Sequence, residues 1–239
     1  MATDSVLRYR RGTLATALVI TRREVRDSLR DWRIITPIII LTIIFPFLMD
    51  FTSRGATNWV SQYTDPILVE RLNPFLLMIV GFFPISFSLI IALESFVGEK
   101  ERNSIEPILS MPLSDLELYL GKMLSSLLLP VGAAYLGIAV FLTTRLFTSP
   151  TWVPPLELAV LMILLTTFEA LVMVAGAVVI SSQTTSVRAA NLLASFIIIP
   201  VALLIQLESI VMFYAEYRAL WWFVLGLAIV AIILIRMGI

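Results

Sequence analysis

Six long intervals of this 239-residue chain are almost free of charge. They run Ile34 to Met49, Leu72 to Leu93, Met123 to Thr144, Leu158 to Val187, Ala189 to Leu207 and Ala219 to Ile235. A helix that crosses a bilayer needs about 20 mostly apolar residues, and the intervals are of that order. A soluble fold has no use for six such stretches. The chain is 59% hydrophobic and only 14% charged, whereas a soluble domain is roughly 45–50% apolar and about 25% charged. One core of this size cannot hide so much apolar surface. The expected fold class is therefore all-α: a polytopic membrane protein of six transmembrane helices. The first interval is short, and its flanking Arg33 and Asp50 are expected to snorkel toward water. It also contains Pro37 and Pro46, which a bundle tolerates where neighbours re-satisfy the backbone.

Orientation follows from the cationic residues. Of 17 Lys and Arg, only Arg54, Arg71, Arg145 and Arg218 fall on the side opposite the N-terminus. The positive-inside rule then places both termini in the cytoplasm. Trp32 lies at the inner edge of the first span, and Trp152, Tyr217, Trp221 and Trp222 lie at outer edges, where aromatic belts form. The run Leu14 to Ile20 is too short for a signal peptide and is followed at once by Arg22 and Arg23, so no cleaved leader is expected. There is no histidine and no cysteine, which excludes imidazole and thiolate chemistry by this chain alone. No metal or cofactor is expected on it.

Residues 1–33 form the N-terminal segment and 34–239 the membrane domain. Within the first, residues 13 to 33 read as an amphipathic helix. Leu14, Leu18, Val25, Leu29 and Trp32 share one face, and Arg22, Arg23, Arg26, Asp27 and Arg30 cover much of the rest. Such a helix suits the cytoplasmic membrane interface, as an anchor, as a docking surface for a partner, or as both.

The loop over residues 98–122 is the most informative stretch. Asn103 and Ser104 are good helix N-caps, Glu106 suits the first turn, and Pro107 is tolerable there. Pro112 closes a short helix, about Ser104 to Met111, that shows Ile105, Ile108 and Leu109 to a neighbour. Ser114 and Glu117 then have the spacing of a capping box that opens the third span. On these residues alone the loop is either a solvated connector or a stiff knob below the membrane.

The string GEKERNSIEPILSMPLSDLELYLGKML resembles the motif of type-2 ATP-binding-cassette (ABC) exporter permeases. Asn103, Ser104, Pro107 and Met111 depart from the family's usual residues but leave the capped helix intact. The resemblance implies a permease subunit that forms a substrate pathway as a dimer in the cytoplasmic (plasma) membrane of a bacterial or archaeal cell. It implies that Glu99, Lys100, Glu101, Arg102, Ser104, Ile105, Glu106 and Leu109 form the coupling interface with an ATPase subunit. It also suggests a re-entrant exterior turn near residues 208–218. ATP and Mg would sit on that partner, because the phosphate-cradling G-x-x-x-x-G-K-[ST] loop is absent: Leu116 replaces its first glycine and Met123 its Ser/Thr.

Glu169 stands alone inside the fourth span. A carboxyl there is costly and faces the bundle interior, either hydrogen-bonded to Thr166, Thr167 or another helix, or lining a substrate pathway. An ion-coupled secondary transporter using Glu169 and Glu94, or a non-transporting assembly protein, are the competing readings.

Overall fold

A computed structural model of the chain describes residues 13–60, 62, 66–101, 114–148, 152, 154–184, 186–214 and 217–238. The described residues are helical throughout, apart from short turns. We number the helices in chain order: α1 (Thr13–Ser28), α2 (Trp32–Ile39), α3 (Phe45–Val60), α4 (Pro66–Glu101), α5 (Asp115–Thr148), α6 (Leu156–Gln183), α7 (Val187–Tyr214) and α8 (Leu220–Gly238). A five-residue π-helical turn, Ile40–Ile44, joins α2 to α3 and makes one continuous span. Pro37 lies just ahead of it, and the missing N–H perturbs the ladder there.

Six segments are long and apolar enough to cross a membrane, one in each interval read from the sequence. The chain is a multi-pass membrane protein. The helices overrun the charges that bound the intervals, the first among them. It was expected to end at Met49, but it runs from Trp32 to Trp59 and takes Asp50 and Arg54 inside the span. Asp50 does not snorkel. It is fully buried, for a reason given below.

α4 is the axis of the bundle and packs against α5, α6 and α7. The spans of α4 and α6 are 67% and 61% buried, and no other exceeds 33%. The remaining spans therefore present most of their surface to lipid or to another chain. The main core joins Leu77, Val80 and Leu89 of α4 to Phe141 of α5, Leu161, Leu165 and Met173 of α6, Met212 of α7 and Leu227 of α8.

Small residues set the closest approaches. A Cβ on Gly176 would come within 2.6 Å of Ile197, so α6 and α7 touch nearly backbone to side chain. Gly137 has only ordinary neighbours, and Gly132 has nothing within 4 Å. Of these three helix glycines, only Gly176 is needed for close packing within this chain.

Candidate functional site

The N-terminal helix is the first element that departs from a simple amphipath. Leu14 and Leu18 are exposed one turn apart, as a helix lying on a bilayer requires; the helix expected over residues 13 to 33 ends at Ser28, so Leu29 and Trp32 lie beyond it, exposed in the turn and at the start of α2. A second, narrower face meets the protein. Ala17 and Thr21 are buried, and Thr21 Oγ1 donates to Gly121 O at 3.0 Å while also contacting Ala17 O at 2.8 Å. A Cβ on Gly121 would lie 2.7 Å from Ile20, so only glycine lets α1 seat this closely on α5. The sequence pattern revealed the lipid stripe and the Arg face, but not this third face, whose residues are small or polar.

Gly121 closes the motif of the 98–122 loop. The capping box is present as read: Ser114 N donates to Glu117 Oε2 at 3.1 Å and Glu117 N donates to Ser114 Oγ at 3.3 Å. Next to Gly121, Lys122 is buried, donates to Ser95 O at 2.6 Å and stands 5.6 Å from the Phe96 ring centre. Lys122 thereby ties the start of α5 to the end of α4. Glu99, Lys100 and Glu101 fall in the last turn of α4. Arg102, Ser104, Ile105, Glu106 and Leu109 lie outside the described residues, as does the short helix expected around them.

At the other end of the bundle stands an ionic cluster. Asp50 of α3 meets Arg145 of α5 at 3.4 Å and Arg54 at 3.2 Å, and Thr148 Oγ1 donates to it at 3.0 Å. Asp50 and Arg145 are both buried, whereas Arg54 is about half exposed. Nearby in the chain, Ser53 Oγ donates to Asn73 Oδ1 at 2.6 Å, which links α3 to α4. The flanking charges of the first and third spans are thus each other's counterions.

Glu169 is 3% exposed at mid-α6, and it is not alone. Its carboxyl faces that of Glu208 on α7, which is completely buried. Glu169 Oε1 and both oxygens of Glu208 have no hydrogen-bond partner. The threonines expected to serve Glu169 are engaged elsewhere. Thr167 bonds to Tyr135 and to Ile163 O, and Thr166 packs under Gly81. Glu208 had been read as closing the fifth span, but α7 continues without a break to Tyr214, so residues 208–214 form no re-entrant turn. Arg71 caps this end of α7, donating to Met212 O and Phe213 O at 2.9 Å each. Among the described residues no group of three acidic, His or Cys side chains could hold a metal.

The sequence model of the ABC-2 family transporter proteins matches residues 18–222. The chain belongs to this family. It is the membrane-spanning subunit of an ABC transporter, and a subunit of this kind is not itself the catalyst. No curated protein matches the chain. The matched region takes in both carboxyls of the buried pair, the ionic cluster and the α1–α5 contact.

Proposed function

We propose that this ABC-2 permease is one half of a dimeric exporter driven by a separate ATPase that holds ATP and Mg. The ATPase seats on the 98–122 loop and the Arg face of α1, both on the cytoplasmic side. One observation carries the reading: α1 seats on the foot of α5 at the end of the loop motif, most tightly where Ile20 and Thr21 meet Gly121. A push on either element is thereby delivered to the foot of α5, and Lys122 passes it to α4, the axis of the bundle. Coupling of this kind needs packed elements that move as units, which these contacts supply. The exposed apolar faces of α3 (Phe47, Phe51) and α7 (Phe196, Leu203) are available to lipid and to a second permease chain. The cell membrane is the expected site, with both termini cytoplasmic.

The test is co-purification. Reversing Glu101→Lys and Arg102→Glu together should abolish recovery of a co-expressed ATPase while membrane insertion persists. Undiminished recovery would remove the loop from the interface. Vesicle transport should require ATP; transport that follows a proton gradient without ATP would instead favour a secondary carrier.

A further inference from the structure

The buried carboxyl pair stands one helical turn from the wall of an apolar cavity. A cavity of about 480 Å³ opens between α6, α7 and α8, with Val172, Val201, Leu204, Trp222, Gly226 and Val230 among its walls. Val172 is three residues from Glu169 and Leu204 is four from Glu208. On each helix, therefore, carboxyl and cavity wall share a face one turn apart. A Cβ on Gly226 would meet no atom within 4 Å, so the α8 side of the cavity is open space.

Two features of this site are unsatisfied. The apolar walls cannot hold ordered water, which needs several polar partners. Three oxygens of Glu169 and Glu208 have no donor from any other residue, and the one proton that the facing carboxyls can share between them cannot serve all three. Buried polar atoms are ordinarily paired, and a buried carboxylate more strictly so. A primary ammonium has three N–H donors and one positive charge, the complement of what this pair lacks.

We propose that Glu169, Glu208 and the adjoining cavity bind an amphipathic organic amine, with its apolar body between α6, α7 and α8 and its ammonium on the two carboxyls. An anion of the same shape is repelled. A neutral tail fills the cavity but leaves the carboxyls unserved. A phospholipid ammonium would drag its phosphate to mid-helix beside two carboxyls, so the ligand is a free amine. Both carboxyls are covered, so the ammonium reaches them when α7 shifts. That helix meets α8 over few residues and is the wall that gives. Binding is a property of this chain alone; export of the bound amine rests on the exporter reading above.

The experiment uses the full chain in phosphatidylcholine nanodiscs without nucleotide or ATPase. The probe is 10-bromodecylammonium, whose bromine quenches tryptophan fluorescence on contact. Saturable quenching is expected, and Trp222→Phe should remove most of it. The double variant Glu169→Gln/Glu208→Gln should weaken apparent affinity at least tenfold. Gly226→Leu should do the same with both carboxyls intact, which keeps the proposal testable if the double variant does not fold. Bromodecyl sulfate should give no saturable quenching. The site is overturned if the sulfate binds as well as the amine, or if both variants stay within twofold of the parent chain. Displacement of the probe by added phosphatidylethanolamine would assign the site to a lipid headgroup and overturn the free-amine assignment. If binding behaves as expected but vesicles carrying the ATPase move no amine, export fails and the binding site stands.

Discussion

Among the described residues, two clusters of buried charge within the spans are built on opposite plans. At the far end from α1, Asp50 gathers Arg145, Arg54 and Thr148 around it. In mid-bundle, Glu169 faces Glu208, and no cation among the described residues answers them. The first group sets one carboxylate between two guanidinium groups and joins α3 to α5. Removing one partner strands the other in a poor solvent, so the cluster acts as glue once formed. The second group gains nothing from its own members, because two like carboxyls side by side are accommodated only by sharing a proton or receiving a cation. A packed protein that keeps such a pair is keeping it for something other than stability, and stored cost of this kind is characteristic of binding sites.

Mutagenesis can break or sharpen this contrast. The largest effect is expected for Arg145→Ala, which takes from Asp50 its buried counterion, leaves it only the half-exposed Arg54 and Thr148, and should cost about 3 kcal/mol, read by thermal or denaturant unfolding in detergent. The double variant Asp50→Leu/Arg145→Met should return to within about 1 kcal/mol of the parent, since both charges leave together. If the single and double variants cost the same, the cluster is not a coupled pair. Next comes Ser53→Ala, a neutral reference. It leaves Asn73 Oδ1 without its donor and should cost about 1 kcal/mol by the same assay. The smallest effect is expected for Glu208→Gln, whose amide can donate to Glu169 Oε1. Its melting temperature should equal or exceed that of the parent. A clear fall would make the carboxyl pair a structural element like the first and erase the contrast.

Much of the fold is legible without coordinates. Lipid demands long apolar helices, so the six intervals between charges located the six spans. The Ser114–Glu117 box was readable because a cap is a local bond between residues three apart. The errors share one cause. Reading a span from its bounding charges assumes that every charge faces water. Asp50 ended the first interval on that logic, and Glu208 the fifth. Both are inside, because helices distant in sequence cover them. The lipid stripe of α1 was visible as a periodic run of large apolar residues. Its docking face was not, because Ala17 and Thr21 resemble any small residues until Gly121 is placed against them.

The sequence by itself determined that this chain spans a membrane six times, that its cationic side is the side of α1, and that a capped loop motif stands before the third span. These properties depend on the solvent and on neighbours within a turn or two. Only the tertiary structure decided that α1 is clamped to α5 through Thr21 and Gly121, that Arg145 answers Asp50, and that Glu169 meets Glu208 one turn from an apolar cavity. Those partners lie between 39 and 100 residues apart in the chain, and an interaction across such a distance is set by how whole helices pack, which no local pattern of residues encodes.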